Sequence, residues 1–234
     1  MSNNSFKFKQ FSVHQDRCAM KVGTDGTLLG AWASVPSGKS RLLDIGTGTG
    51  LIALMLAQRA EEAEVVGIDI DEDAVRQAQE NVTASPFDLR VKIVHGDIAD
   101  YDQGPFDAIV SNPPYFVESL TCPDIQRTTA RHTGSLSYTT LVQSAYRLLS
   151  DEGTFSVIIP FDCRSRLESE ASIIGFFMSR VCAIRTTPRK QVKRYLIEFR
   201  KQPVYKYDID EEVLEIASNT RSKWYQELTK EFYI

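Results

Sequence analysis

Arg41-Leu42-Leu43-Asp44-Ile45-Gly46-Thr47-Gly48-Thr49-Gly50-Leu51 is the stretch on which the reading of this chain turns. An apolar run of strand length ends in an acid and three alternating glycines. Residues 51–57 (Leu-Ile-Ala-Leu-Met-Leu-Ala) then continue in good helix formers with few β-branched side chains, so the segment reads as strand, turn, helix. Glycines in such a turn let a ligand approach the backbone and leave N–H groups at the helix start aimed at it. The spacing is Gly-x-Gly-x-Gly. A dinucleotide fingerprint starting at Gly46 needs glycine at position 51, where Leu51 stands, which disfavours a nicotinamide oxidoreductase. Taken alone, the turn is equally a tight left-handed corner without a ligand.

The alternation continues outward. Residues 64–70 (Glu-Val-Val-Gly-Ile-Asp-Ile) form a second buried-type strand, and 71–84 a helix whose Asp71, Glu72 and Asp73 suit its positive N-terminal end. Further strands are expected at 91–95, 106–111 and 153–160, helices at 138–150 and 163–174, and a terminal hairpin from 180–187 and 192–200. Strands alternating with helices in this way predict an α/β fold: a doubly wound, mostly parallel, seven-stranded, Rossmann-like sheet with a C-terminal antiparallel hairpin. One domain, 37–204, is expected to carry an N-terminal extension (1–36) and a C-terminal helical tail (205–234) packed on it, the acidic 208–215 stretch being a helix N-terminus. Ligands of such sheets bind beyond the carboxyl ends of the strands, where strand order reverses. Residues 115–137, with Arg127, Arg131 and His132, lack periodicity, and a loop of that length is more often functional than idle.

Composition narrows the class. With 234 residues, 42% hydrophobic and 25% charged, the chain is long enough for one large core. No run of eighteen apolar residues occurs and the start lacks the apolar region of a signal peptide, so a cytoplasmic monomer without membrane insertion is expected. Cys18, Cys122, Cys163 and Cys182 form no Cys-x-x-Cys pair and have no histidine at ligand spacing, which argues against a metal site and a disulfide framework. The net charge of -4 hides an asymmetry: residues 41–120 carry 15 acidic and 5 basic side chains, residues 121–207 carry 7 acidic and 14 basic ones. Within the second block Arg185, Arg189, Lys190, Lys193, Arg194, Arg200 and Lys201 have only Glu198 as a local counter-charge. This reads either as a phosphate-contacting surface or as a solvated edge kept soluble by its cations.

Each of the four strand ends carries a polar group. Asp44 precedes the glycines, Asp69 is placed to accept from the hydroxyls of a ribose, Asp97 from an adenine amino group, and the fourth strand runs into Asn112-Pro113-Pro114-Tyr115. This order of motifs resembles the class I S-adenosylmethionine-dependent methyltransferases that modify amino or amide nitrogens. The stretches 8–11 and 16–33, together with 53–59 and Asn112-Pro113-Pro114-Tyr115, are similar to the bacterial tRNA1(Val) adenine-N6 methyltransferases, over nearly the whole chain and more loosely after residue 160. The resemblance implies that S-adenosyl-L-methionine is bound by Gly46, Gly48 and Gly50, with Asp44 near its amino-acid portion or ordering the loop. It places Asp69 on the ribose, Asp97 on the adenine amino group and Ile70 and Ile98 flanking the ring. Lys21, Thr24, Asp25 and Gly26 match an element closing over the methionine end, a role compatible with capping of the helix that follows. The implied partner is tRNA, methylated on an adenosine of the anticodon loop, with Arg127, Arg131, Arg189, Lys190, Lys193 and Arg194 as phosphate contacts.

Asn-Pro-Pro-Tyr suits an exocyclic amine. The lone pair of an adenine amino group is delocalised into the ring and its N–H is far too weak an acid for a side chain to remove. Two fixed acceptors, the Asn112 side-chain oxygen and the Pro113 carbonyl, would hold the two N–H groups and aim the lone pair. Proline fixes φ and restricts the residue before it, which keeps those oxygens rigid, and Tyr115 would stack on the turned-out base. The motif also serves glutamine amides of release factors and, in variants, guanine N2 of ribosomal RNA. A release-factor enzyme would be expected to carry a helical N-terminal domain, for which there is no room before Arg41, and the basic second block favours RNA. A non-catalytic RNA-binding module is a further alternative, against which the intact motif argues.

Overall fold

A computed structural model describes residues 4–16, 22–114 and 136–234. In chain order these form a hairpin, β1 (Ser5–Lys7) and β2 (Ser12–His14), then α1 (Thr24–Trp32), β3 (Arg41–Ile45), α2 (Leu51–Arg59), β4 (Glu64–Asp69), α3 (Glu72–Thr83), β5 (Val91–His95) and β6 (Phe106–Ser111). There follow α4 (Tyr138–Leu148), β7 (Leu149–Pro160), a 3-10 turn (Phe161–Cys163), α5 (Arg164–Ile174) and the strands β8 (Phe177–Arg185) and β9 (Val192–Arg200). The tail holds β10 (Asp208–Val213), a small pair β11 (Glu215–Ala217) and β12 (Thr220–Arg221), and α6 (Lys223–Thr229).

The short apolar runs become the centre of one sheet ordered β10-β8-β9-β7-β6-β3-β4-β5. β3 to β7 pair in parallel, and β9 runs antiparallel to both β7 and β8. Leu42, Leu43, Asp44 and Ile45 are all buried, as a central strand covered on both faces requires. One face is packed by α1, α2, α3, the N-terminal hairpin and α6; the other by α4 and α5. Asp71 caps α3, its carboxylate accepting from the amides of Asp73 (2.9 Å) and Ala74 (3.3 Å). Among the described residues no helix is long and apolar enough to cross a membrane.

Two expectations are corrected. Among the described residues the sheet has eight strands, because the acidic 208–213 segment is a strand parallel to β8 rather than a helix start. Basic β8 explains the preference: Arg185 forms an ion pair with Glu211, Nε to Oε1 2.9 Å, and a charged strand blunts the sheet edge. The tail is therefore helical only over Lys223–Thr229. It packs with the N-terminal hairpin, where the Lys9 amide donates to the Phe232 carbonyl (2.8 Å) and the Phe8 and Tyr233 rings stack at 5.8 Å.

Candidate active site

From β3 the chain winds outward through β4 and β5, then returns to the other side of β3 as β6. Strand order reverses between β3 and β6, and at their carboxyl ends a sheet of this kind is expected to take its ligand in a crevice. Ile45 and Ser111 are paired there, and the Ser111 hydroxyl donates to the Ile45 carbonyl at 2.9 Å. The glycine turn begins one residue after Ile45 and Asn112-Pro113-Pro114 one residue after Ser111, so the two motifs start about one strand spacing, ~4.8 Å, apart. Asn112 is half-buried, Pro113 buried and Pro114 exposed.

The glycine turn is left-handed at all three glycines, with φ of 72°, 55° and 80° at Gly46, Gly48 and Gly50. A Cβ on Gly48 would be strained and would point into open space, so bare backbone faces the crevice. Gly50 precedes α2, and a Cβ there would come within 3.3 Å of Ala78 on α3. The turn is tied down by the Gly46 and Thr47 amides, which donate to the Ile68 carbonyl at 2.9 and 3.1 Å, and by the Gly48 amide, which donates to Asp69 Oδ2 at 2.8 Å. Asp44 lies fully buried beneath it. Its Oδ2 accepts from the Thr47 hydroxyl (2.7 Å) and the Ala53 amide (3.2 Å), while Oδ1 has no hydrogen-bond partner. Burial, with the Asp69 charge a smaller cause, pushes the Asp44 carboxyl up to about 7. These contacts are those of a residue ordering the loop.

At the end of β4, Asp69 Oδ1 also accepts from the Asp71 amide at 3.0 Å, so the carboxylate is held by backbone donors on both oxygens. Ile70 next to it is 45% exposed, and its carbonyl lies 3.1 Å from His95 Nε2. Asp97 is exposed, with Oδ1 accepting from the Ala99 amide at 2.9 Å. Ile98, expected to flank the ring with Ile70, is 5% exposed and part of the core under α4. Its carbonyl accepts from Arg147 Nη2 at 3.1 Å.

Thr24, Asp25 and Gly26 form the first turn of α1, whose N-cap is Gly23 without a side-chain cap, so neither Thr24 nor Asp25 caps it. Asp25 instead forms an ion pair with Arg194 of β9. This corrects the assignment of Arg194 as a phosphate contact: with 12% of its side chain exposed and a carboxylate in contact, it is committed to holding α1. The other end of α1 is clamped as well. Its last carbonyls, on Gly30 and Trp32, accept from Arg59 (2.8 Å) and Arg180 (2.6 Å), cations that suit a helix C-terminus. Arg189, Lys190 and Lys193 are exposed on the β8–β9 turn. Because Pro160 at the end of β7 pairs with Arg194, that turn rises at the same end of the sheet as the crevice. The sequence reading missed Thr47 and Ser111, both visible only as small hydroxyl residues within or beside the motifs. Lys21, Tyr115, Arg127 and Arg131 lie outside the described residues.

Among the described residues no three His, Cys, Asp or Glu side chains are grouped to hold a metal. The arrangement fits an adenosine-bearing cofactor: half-buried backbone at Gly48 with open space where a side chain would stand, a carboxylate fixed at the second strand end, and an apolar face at Ile70 beside it.

Comparison with known proteins agrees with this geometry. The methyltransferase small domain family matches residues 26–170. A protein of Bacteroides thetaiotaomicron named tRNA1(Val) (adenine(37)-N6)-methyltransferase is 51% identical, over 100% of this chain and 99% of its own length. One of the same name from Tolumonas auensis is 42% identical over 100% and 98%. Among solved structures, a predicted O-methyltransferase of Agrobacterium tumefaciens superposes with a TM-score of 0.68 over 89% of this chain and 96% of that one, at 15% identity. A methyltransferase from Pyrococcus furiosus gives 0.54 over 71% and 77%, at 21% identity. At such identities the superpositions speak for the fold, whereas the sequence matches run the full length of the chain, and the chain therefore belongs to the methyltransferase small domain family.

Proposed function

We propose that this protein transfers a methyl group from S-adenosyl-L-methionine to N6 of an adenosine in a tRNA anticodon loop, position 37 in the relatives' names, and acts in the cytoplasm. The observation that carries the reading is the placement of Asn112 and Pro113 at the reversal of strand order, pinned beside the glycine turn through Ser111. When bound, the cofactor supplies an electrophilic methyl carbon on a sulfonium. Gly46, Gly48 and Gly50 let it approach the backbone, Asp69 accepts from its ribose, Asp97 from its adenine amino group, and Ile70 covers the ring. Thr24, Asp25 and Gly26, with Lys21, close its methionine end; Asp44 acts from below by fixing the turn.

Asn112 and the Pro113 carbonyl hold the two amine hydrogens, which draws the lone pair out of the ring and points it along one direction. Alignment then replaces a random encounter, the usual source of much of an enzyme's advantage when no strong base is required. Pro114 extends the rigid segment, and Tyr115 stacks on the base. The exposed Arg189, Lys190 and Lys193, together with Arg127 and Arg131, meet the phosphate backbone.

Nucleoside mass spectrometry of total tRNA from cells with and without the gene tests the reading. Loss of N6-methyladenosine, restored by the purified chain with S-adenosyl-L-methionine, is expected. An unchanged N6-methyladenosine signal refutes it, and loss of N2-methylguanosine from ribosomal RNA, or of methylglutamine from a release factor, assigns the acceptor elsewhere.

A further inference from the structure

Beyond the residues that hold the cofactor and the amine, the crevice rim carries an aromatic side chain with no assigned role. Phe161 follows Pro160 at the carboxyl end of β7, one strand beyond β6, on the side of Asn112 away from the glycine turn and Asp69. It is 51% exposed. A single exposed apolar side chain is ordinary on a protein surface, so the case for Phe161 rests on its place and on what braces it. Of the other exposed aromatic rings among the described residues, Phe177 and Tyr205 lie at the opposite end of the sheet, at the start of β8 and before β10.

Phe161 is braced. Its inner side stacks on Tyr195, with centroids 5.9 Å apart and planes 26° apart, and Tyr195 is itself 8% exposed on β9. The guanidinium of Arg164 sits 4.5 Å from the Tyr195 centroid, held there by Glu168 at 2.6 Å. A ring supported from behind and open in front resembles the stacking platforms of single-strand binding proteins, which accept any base because every base has a π-face. Lys193 precedes Arg194, the residue paired with Pro160, so the basic β8–β9 turn stands beside the ring. An aromatic surface next to cations suits an unpaired base with its phosphate.

We propose that Phe161 is the stacking platform for a nucleobase adjacent to the methylated adenosine, holding the neighbouring nucleotide while the target base is turned into the crevice. The inference rests on the RNA reading of the site. Turning one base out of a loop breaks its stacking on its neighbours, and a protein ring that replaces one of those neighbours recovers part of that energy.

The test is steady-state methylation of an anticodon stem-loop, either intact or with an abasic residue on one side of the target, by the wild type and by Phe161→Ala, Phe161→Leu and Phe161→Trp. The alanine and leucine variants should raise KM for the intact RNA about tenfold, within the range base stacking gives, with KM for S-adenosyl-L-methionine and the thermal midpoint unchanged; tryptophan should restore it. The wild type should lose a similar factor on one of the abasic RNAs, and Phe161→Ala should be insensitive to that replacement, because the two changes delete the same interaction. An unchanged KM in Phe161→Ala, or equal sensitivity of wild type and variant to both abasic replacements, overturns the inference while leaving the methylation reading standing. A wild-type enzyme that leaves the intact RNA unmethylated overturns that reading instead.

Discussion

Strands β3, β4 and β5 end in or near Asp44, Asp69 and Asp97, whereas across the reversal point the β8–β9 turn ends in Arg189, Lys190 and Lys193. Both sets lie at the same end of one sheet. In the acidic half Asp69 and Asp97 are held by backbone donors and offer fixed acceptors for hydroxyl, amino and cationic groups of a small ligand, while the buried Asp44 orders the turn beneath them. The basic half leaves its cations in solvent, where fixed geometry is lacking and attraction for a polyanion depends on salt. Asn112 and Pro113 stand on the strand between them. The two halves suit ligands of opposite character, one held by geometry and one gathered by charge, with that strand between them.

If that division is right, the largest effect comes from the boundary itself. Asn112→Ala should lower kcat by about 10²- to 10³-fold, the scale seen when a single preorganised polar contact to a reacting group is removed, with the affinity for S-adenosylhomocysteine within about threefold of wild type by calorimetry. Equal losses in both would assign Asn112 to the acidic half. Asp69→Ala should instead weaken cofactor binding about 10- to 100-fold, the usual worth of a charge-assisted hydrogen bond, and leave RNA affinity intact. A parallel fall in RNA affinity would erase the division.

The acidic half was legible in the sequence because its groups are local. Each sits at the end of an apolar run, and backbone geometry alone dictates the turn that follows. The basic half was legible only as a count of charges. Which cations are available depends on partners far along the chain: Asp25 engages Arg194 across 169 positions, and Glu211 engages Arg185 from a strand that acidic composition disguised as a helix start. The seven expected strands are present and the eighth was missed for that reason. For Ile98 the motif position fixes the backbone but leaves open how far the side chain faces the core, against which it packs here.

Asp44 sharpens the acidic half further. Its folded-state pKa of about 7 lies above its ordinary value of 3.8, so between those limits the folded chain retains a proton that the unfolded chain has lost. Stability should therefore fall as pH rises from about 4 to 7 and level off above it. Asp44→Asn keeps an oxygen for Thr47 and Ala53 and removes the ionisation. Its stability should lack that slope and, above neutrality, exceed that of the wild type by an amount on the order of 4 kcal/mol. A wild-type curve flat across this window would mean that water reaches the Asp44 Oδ1.

The smallest effects discriminate most finely, because they separate two arginines only five positions apart. Charge reversal at Arg189 and Lys190 should weaken tRNA binding about tenfold and reduce the slope of log affinity against log salt by about 1 for each phosphate no longer neutralised. Arg194→Ala also removes a formal positive charge from this strand pair, yet its guanidinium is already neutralised by Asp25 and shielded from solvent. Its salt slope should match wild type. What should change, by a few-fold, is the affinity for S-adenosylhomocysteine, since the start of α1 is untied from β9, and reversing the pair as Asp25→Arg with Arg194→Asp should recover part of that affinity. An Arg194 variant with a flattened salt slope and normal cofactor affinity would return that residue to the RNA-binding half, and with it the charge-only reading of the hairpin.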